Sequence, residues 1–157
     1  MNTSRFRPRS CWLVGFFAVA WLVAACAVPP PPGGEGPAEQ SDTIMLEYRR
    51  SGGIAGWNDH LVIYTDGQAT LERKGSQSKT FTLDQETLDT LRKLMADSRF
   101  FEMQPSYLPQ RTIPDAFHYV VTYQDGNRRH TVETSDGAVP PELAPIISQL
   151  NRIIDQR

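Results

Sequence analysis

From Thr43 onward, apolar and polar positions follow two different periods along the chain. The segment "HLVIYTDGQATLERK", His60 to Lys74, alternates around Asp66-Gly67, a dipeptide that marks a tight hairpin turn. A two-residue turn there puts Val62 and Tyr64 on one buried face with Ala69 and Leu71. A second alternating segment, Phe117 to Thr134, repeats the design around Asp125-Gly126, with Phe117, Tyr119, Val121 and Tyr123 on one face. Between and after these hairpins the period lengthens to that of a helix. Leu88, Leu91, Leu94 and Met95 form one apolar stripe. Thr82 with Gln85 fits a capping box ahead of it, and Asp84 is an alternative cap. Leu143, Ile146, Ile147, Leu150, Ile153 and Ile154 form the second stripe, after a helix start suited to Pro140 and Pro141. Both stripes read as core. Hairpin and helix thus occur twice, which predicts an α+β domain: an antiparallel sheet of four to five strands with two amphipathic helices packed on one face.

The amino terminus follows another pattern. Arg5, Arg7 and Arg9 precede an apolar run from Cys11 to Ala25, fifteen residues long. That length suits a secretory signal better than a membrane-spanning helix. The run closes on "LVAAC", Leu22 to Cys26, which resembles a bacterial lipobox. The expected division is a lipoprotein signal peptide at residues 1–25, a lipidated Cys26 with a Pro/Gly-rich tether at residues 26–42, and the folded domain at residues 43–157. An uncleaved anchor helix running through Val28 is the alternative. Four consecutive prolines, Pro29 to Pro32, favour an extended spacer. The other cysteine, Cys11, leaves with the signal, so no disulfide is expected in the folded part. Ala27, not aspartate, follows the lipid cysteine, which in a two-membrane cell favours the outer membrane. The expected location is therefore a lipid anchor on the cell membrane or outer membrane, facing away from the cytoplasm.

The formal net charge is −2 for 157 residues. Losing the signal removes three arginines and no acid, which leaves −5 and argues against a nucleic-acid partner. No zinc-peptidase, nucleophile-elbow or phosphate-loop motif is present, so an enzyme is not expected, nor a cofactor. His60, His118 and His130 raise the question of a metal. A two-residue second turn sets His118 and His130 on opposite faces, whereas a three-residue turn reunites them. No metal site is expected.

Two stretches lack a plain structural reason. "RRSGGIAGWND", Arg49 to Asp59, holds Gly52, Gly53, Ile54, Ala55, Gly56 and Trp57 between two strand-like segments. Its glycine spacing and the strand that follows exclude a phosphate cradle. "EMQPSYLPQRTIPDA", Glu102 to Ala116, holds three prolines, with Tyr107, Leu108 and Ile113 in no regular period. A loop of that length in a small domain is often functional. The other reading of both is a packed surface loop.

Three segments in order, "RRSGGIAG", "PDAFHYVVTYQDGNRRHTV" and "VPPELAPIISQL", resemble emfourin, a family of small protein inhibitors of thermolysin-type metallopeptidases. The resemblance spans Leu46 to Ile154. It implies obstruction of a zinc-peptidase cleft by a compact domain, with an extracytoplasmic zinc metallopeptidase as the partner. Such clefts favour a bulky aliphatic side chain just after the scissile bond. Ile54 in the glycine turn, or Leu108 after Tyr107, would supply it, with Asp59 or Asp115 offering a carboxylate near the zinc. The alternative is a non-inhibitory cell-envelope lipoprotein acting as a protein-binding adaptor. The side of the fold on which the two loops emerge separates these alternatives.

Overall fold

The computed structural model describes residues 43–111 and 113–157. Three long strands open the domain: β1 (Ile44–Gly52), β2 (Trp57–Tyr64) and β3 (Gln68–Arg73). A short β4 (Lys79–Thr82) leads into α1 (Gln85–Asp97). A 3₁₀ turn (Phe100–Glu102) and a two-residue β5 (Ser106–Tyr107) precede the hairpin of β6 (Phe117–Asp125) and β7 (Arg128–Ser135). The last element is α2 (Ala144–Asp155). The strand order is β4-β3-β2-β1-β6-β7-β5.

This corrects the expected α+β arrangement with an antiparallel sheet of four to five strands. Seven strands pair, and β5 runs parallel to β7 through Ser106 opposite Glu133 and Tyr107 opposite Thr134, so the sheet is mixed. Two residues carry no visible alternation, and a parallel partner 27 residues away leaves no local mark on the sequence.

The first hairpin departs by one residue. Ile63 faces Ala69 and Leu61 faces Leu71, so Leu61 and Ile63, not Val62 and Tyr64, share the buried face with Ala69 and Leu71. The turn holds three residues, Thr65, Asp66 and Gly67, and it is closed by the Gly67 amide on the Tyr64 carbonyl at 3.1 Å. Because side chains alternate, one extra turn residue exchanges the two faces of a strand. The second turn is the shorter type: Asp125 pairs with Arg128, and Tyr119, Val121 and Tyr123 are buried.

Both helices cover the same sheet face. Leu46, Tyr48, Leu61, Ile63, Leu71, Val121 and Val132 meet Leu88, Leu91 and Met95 of α1 and Ile146, Leu150 and Ile154 of α2 in one core. Each such side chain contributes about 1.5–3 kcal/mol by leaving water. Asp84, rather than Thr82, caps α1, taking the Thr87 amide at 2.7 Å. Pro140 and Pro141 sit in the turn ahead of α2, whose first residues bond back to the Pro140 carbonyl. The opposite sheet face carries Glu47, Arg49, His60 and Glu72 and stays open to solvent, with Glu47 and His60 3.0 Å apart.

Candidate functional site

The β1–β2 turn is built by close packing. Gly52 faces Trp57 in the last strand pair, and Gly53, Ile54, Ala55 and Gly56 form the turn. Gly52 and Gly53 have φ of +108° and +69°, a region side chains avoid. A Cβ on Gly52 would collide with the Ala116 carbonyl oxygen, and one on Gly53 would meet the Phe117 ring at 2.8 Å. Gly53 donates its amide to that same Ala116 carbonyl at 3.4 Å, and Gly56 donates to Gly53 at 3.0 Å. The glycines therefore let the turn lie flat on the start of β6. That packing leaves Ile54 in solvent, 91 % exposed, and Trp57 47 % exposed.

The second stretch reaches the same end of the sheet. Gly52 pairs with Phe117, the first residue of β6, and Thr134 near the end of β7 pairs with both Tyr119 and Tyr107. Leu108, 47 % exposed, leaves β5 in that direction. Ile113, 42 % exposed, packs its Cδ1 over Gly137, one residue after Asp136, which binds the Phe117 amide at 2.9 Å. Ile54, Trp57, Leu108 and Ile113 are the large apolar side chains left exposed among the described residues, and all four cluster at this one end. Tyr107 differs from its neighbour. It is half-buried against the core, and its hydroxyl accepts the Gln104 amide at 2.9 Å.

Of the two carboxylates considered for a metal, Asp59 is excluded by its surroundings. It is fully buried, 0 % exposed, and both oxygens are taken: Oδ2 by Arg50 at 2.7 and 2.9 Å, and Oδ1 by Arg73 at 3.1 Å. Asp115 is exposed next to Ala116, in a left-handed conformation at φ +58°. Burial alone would pull the Arg50 guanidinium down, but hydrogen bonds and charge from Asp59 and Asp155 raise it above its ordinary value. Burial and the neighbouring Asp136, which accepts its hydroxyl at 2.9 Å, push Tyr119 up to about 12.

The histidines lie apart. His118 is exposed on the open face, whereas His130 faces the core side, 5.7 Å from the Phe100 ring with Nε2 3.0 Å from the Met103 carbonyl. Among the described residues no group of three His, Cys, Asp or Glu side chains is placed to hold a metal ion. No described helix is long and apolar enough to cross a membrane. Cys26 lies outside the described residues.

A groove of about 550 Å³ opens at the other end of the sheet, floored by Met45, Met95, Phe100 and Tyr123. Two of the arginines on its rim are already answered: Arg92 pairs with Asp89 at 2.9 Å, and Arg128 pairs with Asp125 at 3.4 Å and lies over Phe101. It offers a ligand less than the apolar end offers a protein.

Arg50, Arg73, Asn151 and Asp155 were not recognised from the sequence as part of this end. Arg50 and Asp59 do stand symmetrically outside the glycine turn, and counting back from the Gly52–Trp57 pair would have set them opposite each other.

A family model described as Emfourin matches residues 67–151. The matched span includes Leu108 and Ile113 and begins after the glycine turn. No curated protein matches the chain.

Proposed function

The chain belongs to the emfourin family, whose members are of a metallopeptidase-inhibitor kind, and from that premise we propose that it binds and blocks the cleft of thermolysin-type zinc metallopeptidases. In this reading it acts by binding and carries out no reaction. One observation carries the proposal: the exposed large apolar side chains of the described residues gather at a single end of the sheet, on two loops. Solvated apolar side chains are ordinary when scattered, whereas a cluster marks an interaction surface. A ridge carried by two loops suits a concave partner. Ile54 is the side chain best able to enter a pocket for a bulky aliphatic group, because backbone packed flat beneath it leaves it fully solvated. Leu108 is the second candidate, and Tyr107 supports it from within the fold.

Anchoring belongs to the same proposal. Cys26 carries the lipid, and the tether holds the domain at the outer surface of a membrane. β1 begins at Ile44 and reaches the glycine turn only nine residues later, so the chain enters the domain at the end opposite the ridge.

The test is the residual activity of thermolysin on a small chromogenic peptide, titrated with the full chain in detergent. Stoichiometric loss of activity supports the inhibitor. No loss at micromolar excess, repeated with several peptidases of that type, overturns it and leaves the ridge as the surface of an adaptor.

A further inference from the structure

Arg50 and Asp59 face each other across β1 and β2, two residues outside the Gly52–Trp57 pair that closes the glycine turn. Neither side chain reaches the tip of the turn. Arg50 instead reaches sideways, giving Nη1 to Asn151 Oδ1 at 3.1 Å and Nη2 to Asp155 Oδ1 at 3.2 Å. Asn151 Oδ1 also takes the Tyr48 hydroxyl at 2.9 Å. From β3, Arg73 bridges Asp59 to the Ile154 carbonyl at 2.6 Å, near the end of α2, where that carbonyl also accepts the Arg157 amide at 3.2 Å. The guanidinium carbon of Arg50 lies 5.9 Å from the ring centres of both Trp57 and Phe117.

The cluster is an unusual choice if stability were its only role. Charges taken out of water give back much of what they gain, and well-packed apolar residues of the same volume stabilise at least as well. Its distinguishing feature is connectivity. The two rings beside Arg50 are the walls of the glycine turn, since Trp57 pairs with Gly52 and Phe117 fills the space over Gly53. The remaining bonds of the cluster end on the final turn of α2. A planar guanidinium with a fixed fork of donors is suited to holding rings and carboxylates in one relative geometry.

We infer that Arg50, held by Asp59 and Asp155, is a positioning residue that couples the end of α2 to the glycine turn and keeps the ridge in one presentation. Its kinetic consequence rests on the inhibitor reading, and its conformational consequence does not. A loop already ordered before binding loses less freedom on association, and the difference falls mainly on the rate at which a complex separates. Loosening the cluster therefore frees the turn and shortens the life of the complex, with little change in how fast it forms.

The experiment compares the full chain in detergent with Asp155→Asn and with the double variant Arg50→Met/Asp59→Leu. The double variant removes Arg50 together with Asp59, and leaves Arg73, which is 26 % exposed, on the Ile154 carbonyl. Amide hydrogen exchange is followed at Gly53 and Gly56, with Leu91 and Val121 as core references, and dissociation from thermolysin is timed in parallel. The expected result is exchange at Gly53 and Gly56 several-fold faster in both variants, with Leu91 and Val121 unchanged. Dissociation rises by roughly tenfold, and association stays within about a factor of two. Unchanged exchange at Gly53 and Gly56 in the folded double variant overturns the coupling, as does a rise shared equally by the core amides. If the unaltered chain does not bind the peptidase, the inhibitor reading fails, while the exchange comparison still decides the coupling.

Discussion

The ring of Phe117 occupies the space that a side chain on Gly53 would need, 2.8 Å from where its Cβ would stand. The obstacle at Gly52 is of another kind, the backbone carbonyl of Ala116. A ring can swing aside, but a carbonyl held in the chain cannot. Both positions also have positive φ, which adds roughly 1–2 kcal/mol of strain for any residue with a Cβ. Gly53→Ala is therefore expected to lower stability by about that much, and Gly52→Ala by more. Urea unfolding of the two variants checks the order, and equal losses would mean that the turn shifts as a unit instead of colliding locally.

How far the fold was legible in the sequence follows from the range of each interaction. The stripe Ile146, Ile147, Leu150, Ile153 and Ile154 repeats over three turns of helix, so local spacing alone identifies what α2 buries. The Asp66-Gly67 turn was visible, but its length was not, because an Asp-Gly pair serves a three-residue turn with a bulge as well as a two-residue one. That single residue exchanged Val62 and Tyr64 for Leu61 and Ile63 in the core. Strand β5 and the burial of Asp59 were hidden for a common reason. Each depends on strand register: the β5–β7 pairing for Tyr107, and the β1–β2 and β2–β3 pairings that set Arg50 and Arg73 on either side of Asp59. The exposed ridge was readable in Ile54 and Leu108 as apolar residues without a period, while their convergence on one end required the sheet register.

Phe100 is fully buried at the end of the fold away from the ridge, edge-on to Phe101, Tyr123 and His130 at 6.4, 6.1 and 5.7 Å. Phe100→Ala removes the ring from a packed aromatic cluster and is expected to cost about 3–5 kcal/mol. The same variant leaves Ile54 and Trp57 untouched. Thermal unfolding should therefore fall sharply, while whatever variant remains folded at low temperature keeps the partner affinity of the original chain.

Two carboxylates tie stability to acid. The Thr87 amide and hydroxyl hold Asp84 below its ordinary value at the cap of α1. Partial burial would raise Glu47, but hydrogen bonds and charge from Arg49 and His60 lower it on balance. A carboxyl depressed by folding contributes stability above its unfolded value, near 4, and that contribution disappears as pH falls through the folded value. Urea midpoints should accordingly fall between about pH 5 and pH 2. Asp84→Asn keeps a capping oxygen that does not titrate, so it should flatten the pH dependence while preserving the helix. An unaltered slope in that variant would place the acid sensitivity elsewhere.

The lipid proposal makes a separable claim about Cys26. A single acyl chain binds membrane only marginally, whereas two or more anchor it stably, at roughly 0.8 kcal/mol per buried methylene. Replacing Cys26 with alanine should block incorporation of labelled palmitate and leave the precursor unprocessed. Fractionation of cells expressing both forms gives the comparison. Equal labelling of the two forms would remove the anchor from the proposal without touching the ridge.

Ile54 and Leu108 compete for the same role, and a charge placed on each decides between them. Ile54→Asp disturbs no packing, because the side chain is almost wholly in solvent, so its effect on folding should stay within about 0.5 kcal/mol. A carboxylate forced into an apolar pocket is costly, and inhibition of thermolysin should weaken by at least about a hundredfold if Ile54 is the inserted group. Leu108→Asp should weaken it less, since Leu108 is only about half exposed and follows directly on β5. The reverse order would move the central contact to the proline-rich loop, which lies within the segment matched to the family. Equal and small effects from both changes would mean that neither side chain enters the cleft, and that Trp57 or Ile113 carries the contact at this end.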